Sequence, residues 1–147
     1  PLQVCLGARD EAVVAAERGL QLVLRTKQGE REKVFKAGMK RILLLEIVQC
    51  LKKWTKRMAI PESRITGVTI RVMNSRWGSC RRVTGRFSFA LDLVTMPKEC
   101  IEAVVVHELC HLFAAGHGAD FYARMETYLP DYKERDRLLA SLPRELI

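Results

Sequence analysis

The chain has three histidines, and all of them lie between positions 107 and 117. Two flank a glutamate in His107-Glu108-Leu109-Cys110-His111, which is an HExxH motif. Side chains four residues apart share one face of an α-helix, so His107 and His111 can bind one metal ion without bending the backbone. Glu108 lies about 100° further around the helix, where its carboxylate reaches a metal-bound water rather than the metal. The motif therefore predicts a catalytic metal site.

A catalytic zinc site uses three protein ligands and leaves the fourth position open. His117 follows His111 by six residues, beyond Gly116, where the chain can turn back toward the metal. Asp120 and Glu126 are alternative third ligands, because carboxylates also bind zinc.

Zinc is the metal that three imidazoles and a water favour. It would lower the pKa of the bound water and polarise the bond under attack. Glu108 would accept the proton of that water and pass it to the leaving group. The residue types therefore predict metal-assisted hydrolysis.

Arginines dominate the segment before this motif. Between Ser63 and Leu91 there is no Asp or Glu, and the six arginines are Arg64, Arg71, Arg76, Arg81, Arg82 and Arg86. The planar guanidinium suits phosphate oxygens, so Arg76, Trp77, Arg81 and Arg82 are candidate substrate-binding residues. In the competing interpretation, Trp77 is a core anchor and Arg76 pairs with a carboxylate.

The elements that must position these residues follow from periodicity. Short apolar runs predict weak strands at 2–6 and 20–26, and a long helix is predicted over 31–58. The predicted buried stripe of this helix is Leu44, Ile47, Val48, Leu51, Trp54 and Met58. Alternating residues predict strands at 67–73 and 86–91, joined by a short ordered loop at 74–85.

The motif itself lies on a predicted helix that begins at Pro97 and is broken by Gly116 and Gly118. Two further helices are predicted over Asp120–Tyr128 and Asp131–Leu142, with Pro130 between them.

Length and composition limit the classes of protein. The 147 residues suit a single domain, 1–147, with a real core. No apolar run approaches the roughly 20 residues that span a bilayer, so no membrane association is expected. The five cysteines are scattered without a CxxC, which favours reduced thiols and a cytoplasmic protein. The net charge of +8 favours anionic partners, including nucleic acid.

Several segments together resemble the YgjP-like zinc metallopeptidases, which are related to the WLM and SprT groups. They are SRWGSC (75–80), PKECIEAVVVHELCHL (97–112), GH (116–117), DFY (120–122) and LPDYKERDRLL (129–139). The resemblance implies zinc ligands at His107, His111 and His117 and a catalytic base at Glu108. It also implies an α+β, minimal zincin-like fold: a small antiparallel or mixed sheet on a long helix, an HExxH active-site helix and C-terminal helices.

The chain departs from the family pattern at a few positions. The third ligand lies in Gly116-His117-Gly118 rather than Asn-His-Ser, Ala90 replaces a frequent Asn, and Tyr122 replaces Trp. An N-terminal β-rich extension seen in many members is mostly absent, so a truncated chain is expected.

Three functions agree with these observations. The first is a zinc-dependent hydrolase of the metallopeptidase type, acting on a peptide. The second is a metal-dependent nucleoside triphosphate pyrophosphatase that uses the cluster from Arg76 to Arg86. The third is a non-catalytic, nucleic-acid-associated zinc module, against which the intact Glu108 argues.

Overall fold

The computed structural model describes residues 28–144. The chain divides into two compact units, Pro1–Met39 and Lys40–Ile147. Of the first unit, the described residues form only the opening turns of a helix. The strands predicted at 2–6 and 20–26 lie outside the described residues, and the single domain stays a prediction.

The long helix, α1, spans Gln28–Arg57, close to the predicted range of 31–58. In the second unit its buried apolar residues are Leu43, Ile47, Leu51 and Trp54. The predicted stripe is wrong at its first position, because Leu44 is exposed and Leu43 is fully buried. The apolar run of residues 42–45 has no polar residue that could mark its outer side, so packing decides which leucine turns inward.

Three short strands form one mixed sheet: β1 (Gly67–Arg71), β2 (Gly78–Arg81) and β3 (Arg86–Ala90). The strand order is β1-β3-β2, with β1 parallel and β2 antiparallel to β3. The predicted pairing of two strands through a loop is therefore wrong in one respect, because that loop contains the third strand.

The strand β2 was not predicted because its residues lack an apolar alternation. A tight turn generates it instead: the Gly85 N–H donates to the Arg81 carbonyl at 2.8 Å, and Gly85 has a φ of 76°. A side chain at Gly85 would meet the Arg64 carbonyl oxygen. The positive φ and this close approach explain the glycine.

Three helices complete the fold: α2 (Lys98–Cys110), α3 (Ala119–Tyr128) and α4 (Tyr132–Ser141). A 3-10 helix, Leu91–Thr95, leads from β3 toward α2. The motif helix ends earlier than predicted, because three-residue turns close its end before the glycines. The N–H groups of His111, Leu112 and Phe113 donate to carbonyls three residues back.

A half-buried carboxylate joins three of the helices. Glu102 of α2 accepts hydrogen bonds from Lys53 at 2.7 Å, Trp54 at 3.0 Å and Arg135 of α4 at 2.8 Å. The predicted α+β architecture is confirmed. None of the helices within residues 28–144 combines the length and apolar character needed to cross a bilayer.

Candidate metal centre

The three histidines converge at the end of α2. His107 lies on the helix, His111 is its C-terminal cap residue, and His117 lies in the loop before α3. The Nε2 atoms of His107 and His117 are 3.1 Å apart, those of His111 and His117 are 3.1 Å apart, and those of His107 and His111 are 3.3 Å apart. Three ring nitrogens therefore point at one position.

This triangle fits a metal ion. Tetrahedral Zn–N bonds of 2.0–2.1 Å place two ligand nitrogens about 3.3 Å apart. The His111 Nδ1 lies 3.0 Å from the Ala114 carbonyl oxygen, which can only accept a hydrogen bond. We therefore assign the proton to Nδ1, which leaves the Nε2 lone pair free for a metal.

Electrostatics also favour neutral imidazoles. Burial, followed by the proximity of His111 and His117, lowers the pKa of His107 to about 4. Burial likewise lowers the pKa of His111. Both rings are therefore neutral near pH 7, which is the form that binds metal.

The alternative third ligands lie elsewhere. Among residues 28–144, the group of ligand atoms within 4.8 Å of one another contains the three histidines and no carboxylate. Asp120 instead lies 3.7 Å from Arg124, and its side chain is 70% exposed. Glu126 is exposed.

A phenylalanine supports all three imidazoles. Phe121 of α3 is 1% exposed, and its ring centroid lies 4.7 Å from that of His107, 4.6 Å from that of His111 and 4.9 Å from that of His117. Sequence reasoning gave Phe121 no role. Its position within the DFY segment, four residues after His117, was the available signal.

Glu108 lies beside the histidines and is 5% exposed. Its Oε1 is 3.8 Å from the His107 Nε2. Burial raises the pKa of Glu108 to about 7, while the charge of Arg76 acts in the opposite direction. A carboxyl group with a pKa near neutrality can both accept and donate a proton.

The backbone of β2 confines Glu108. A Cβ atom on Gly78 would lie 3.0 Å from Glu108 Cγ and 3.3 Å from Phe89 Cδ1. Gly78 therefore lets the strand approach the carboxylate closely. This contact was missed at the sequence level, where Gly78 was only part of the SRWGSC segment.

A cleft of about 560 Å³ contains the histidines and Glu108. Four consecutive residues, Trp77–Cys80, line it on the strand side, and Asp136 and Leu139 line it on the α4 side. Consecutive strand residues point to opposite faces of a sheet. A cleft that all four of them line therefore runs along the edge of β2.

The proposed substrate-binding residues separate into two groups. Arg76, Trp77 and Arg82 line the cleft. Arg81 is not among the lining residues and instead lies directly opposite Arg86 across the β2–β3 pair.

The mixed sheet, the helix that carries the HExxH motif and the convergent histidines define a zincin-like metallopeptidase fold. Residues 2–142 match the profile of the YgjP-like, metallopeptidase domain family, and the chain belongs to that family. Among solved structures, the fold is similar to the metallopeptidase zymogen of Pyrococcus abyssi abylysin. The TM-score is 0.57 at 20% identity, over 65% of this chain and 94% of that chain. The search of curated proteins finds no match.

Proposed function

We propose that this protein is a zinc-dependent peptidase in which Glu108 moves the proton. The observation that carries the proposal is the convergence of three Nε2 atoms beside a buried glutamate, in a cleft that follows a strand edge. Membership of a metallopeptidase family supports the same reaction class.

His107, His111 and His117 would hold the metal. A bound zinc ion supplies Lewis-acid chemistry, because it acidifies a water molecule and polarises the bond to be broken. Glu108 accepts the proton of the attacking water and donates it to the leaving amine. Its buried position beside the β2 backbone holds the carboxylate in one place for both transfers.

The cleft suits an extended peptide. An exposed strand edge binds such a peptide by adding it as a further strand, through main-chain hydrogen bonds. In the described sheet, β2 pairs only with β3, so its other edge remains available toward the cleft. Trp77, Val104 and Leu139 give the cleft apolar walls for substrate side chains.

A quenched fluorescent peptide library, read by mass spectrometry, tests the proposal. Zinc-loaded protein should cleave a subset of the peptides, and the Glu108→Gln variant should lose at least about a hundredfold in kcat. The variant should keep one equivalent of zinc, because Glu108 is not a ligand. Cleavage at an unchanged rate by Glu108→Gln would contradict the assigned role.

Hydrolysis of a nucleoside triphosphate is a second candidate function. The observation that favours it is that Arg76 and Arg82 line the same cleft as the histidines. Guanidinium groups there could bind a triphosphate. Arg81 lies outside the cleft lining, which leaves a smaller cluster than the sequence indicated.

A pyrophosphate-release assay separates the two candidates. Zinc-loaded wild type and the Glu108→Gln variant would be compared on a panel of nucleoside triphosphates. Turnover that requires Glu108, together with no cleavage of any peptide in the library, would replace the peptidase by the nucleotide hydrolase. Peptide cleavage without pyrophosphate release would exclude the second candidate.

A further inference from the structure

Arg144, which follows α4, contacts four groups with one guanidinium. Its Nε donates to Asp92 Oδ2 at 3.0 Å. Its Nη2 donates to the carbonyl oxygens of Met73 and Arg76, the latter at 3.1 Å. Its Cζ lies 3.9 Å from the centroid of the Trp77 ring. The first contact lies after β3, and the other three lie in the segment between β1 and β2.

The hydrogen bond to Asp92 anchors the Arg144 guanidinium. Asp92 lies in the 3-10 helix after β3, and it is 1% exposed. A buried carboxylate needs a charged or hydrogen-bonding partner, and Arg144 supplies it at Oδ2. Because β3 is the central strand of the sheet, the arginine is held against a rigid part of the fold.

The other contacts hold a segment whose backbone forms few hydrogen bonds, although the Met73 side chain is buried. Within the described part of the chain, the hydrogen bonds from Arg144 are the only ones that reach the backbone of residues 73–76. At the next residue, the Ala90 N–H donates to the Trp77 carbonyl at 2.9 Å. The segment is therefore fixed by the sheet at its end and by Arg144 before it.

This segment carries part of the cleft wall. Arg76 and Trp77 line the cleft, while the backbone of Arg76 and the ring of Trp77 are the parts that Arg144 contacts. Arg144 itself is not among the residues that line the cleft. It can therefore influence a substrate only through the two residues that it holds.

We propose that Arg144 is a positioning residue that fixes the Arg76–Trp77 wall of the cleft in its substrate-binding arrangement. The kinetic consequences rest on the proposed function, whereas the effect on Trp77 does not. Loss of the arginine frees the wall and weakens substrate binding, while the metal ligands and Glu108 stay in place.

The test compares Arg144→Lys and Arg144→Gln with Arg124→Gln as a matched control. The lysine variant keeps a charge for Asp92 but lacks the planar fork that bridges several acceptors and stacks on a ring. Arg124 is also an arginine beside an aspartate, at 3.7 Å from Asp120, and over an aromatic ring, at 4.6 Å from the Phe113 centroid. It is not among the residues that line the cleft.

Three readouts are taken from each protein: kcat and KM on the best peptide, the zinc content with Tm, and acrylamide quenching of tryptophan fluorescence. Quenching reports mainly Trp77, because Trp54 is 3% exposed.

For Arg144→Lys we expect KM to rise about three- to tenfold, with kcat within about twofold. Zinc content and Tm should stay near the wild-type values, and quenching should increase. Arg124→Gln should match the wild type in KM and in quenching.

Unchanged KM and unchanged quenching in both Arg144 variants would overturn the proposal. In Arg144→Lys, which keeps a charge for Asp92, a loss of kcat that follows lost zinc or a lowered Tm would also overturn it, because Arg144 would then be only structural. If the wild type cleaves no peptide, the proposed function fails. The quenching measurement then tests by itself whether Arg144 holds Trp77. Greater quenching in Arg144→Lys then supports the positioning role, and equal quenching overturns it.

Discussion

At the scale of single residues, the candidate metal centre depends on neighbours that are not themselves candidate ligands. Phe121 contacts the three imidazoles, and Gly78 allows β2 to approach Glu108. Such neighbours fix the orientation of ligands and of the catalytic base, and orientation sets metal affinity and rate. Each of these two positions has a counterpart elsewhere in the chain that serves as a control.

Phe121→Leu should weaken zinc binding about tenfold or more, because a branched aliphatic side chain cannot support three rings at once. Competition with a chromophoric chelator measures the affinity. Phe87→Leu is the control, since Phe87 is also 1% exposed but lies on β3. Both variants should lose folding stability, but only Phe121→Leu should lose zinc affinity. Equal zinc affinities in the two variants would show that the ring does not hold the histidines.

Gly78→Ala should lower kcat about ten- to a hundredfold with normal zinc content, because the added methyl group displaces the Glu108 carboxylate. Gly67→Ala is the control on β1, where the nearest atom to a new Cβ is Arg86 Cγ at 4.0 Å. Steady-state kinetics on one peptide compare the two variants. A Gly78→Ala enzyme with full kcat would show that the carboxylate tolerates the displacement.

At the scale of elements, Glu102 links α1, α2 and α4 through its hydrogen bonds. Burial alone would raise the pKa of Glu102, but the hydrogen bonds from Lys53, Arg135 and Trp54 outweigh it and hold the pKa at about 2. The carboxylate therefore binds its proton less readily in the folded protein than in the unfolded chain. Its contribution to stability is complete above the unfolded pKa and is lost as the pH falls toward 2.

Glu102→Gln should accordingly lower the free energy of unfolding by about 2 kcal/mol at pH 6. The difference in the free energy of unfolding between the variant and the wild type should narrow as the pH falls from 4.5 toward 2.5. Urea unfolding of the metal-free proteins measures both effects. Glu62→Gln is the control, since Glu62 is exposed and its carboxylate makes no ion pair within residues 28–144. A gap that does not change with pH would contradict the assigned pKa.

At the scale of the whole molecule, the net charge is +8, and some of the positive charges lie next to each other. Arg81 and Arg86 lie directly opposite each other in the β2–β3 pair, and both are exposed. Like charges in this arrangement repel, and neither arginine forms an ion pair with a carboxylate in the described part of the chain. An anionic partner would relieve the repulsion.

We therefore expect salt-sensitive binding to duplex nucleic acid that weakens when both arginines become glutamine. The slope of log Kd against log salt should fall by about 2 in Arg81→Gln/Arg86→Gln. Lys52→Gln/Lys56→Gln on α1 removes the same charge elsewhere and should change the slope less. Fluorescence anisotropy across a salt series measures both. If the slope falls equally in the two double variants, the binding depends on net charge alone.

Local geometry explains what could be predicted from the sequence. Helical spacing requires His107 and His111 to share a face, and proline and glycine positions bracket the helices to within a few residues. These features depend on contacts between residues a few positions apart. Local spacing does not predict that Leu43 rather than Leu44 is buried. It also does not predict that β2 forms.

The residue types and their spacing were enough to predict the candidate ligands, the glutamate beside them and the order of the helices. Long-range packing places His117, rather than Asp120, beside the other two imidazoles. It also decided that Phe121 supports them, that Gly78 contacts Glu108 and that Arg144 reaches Trp77. Helical spacing is fixed by the backbone, whereas contacts between distant residues depend on how the whole core packs.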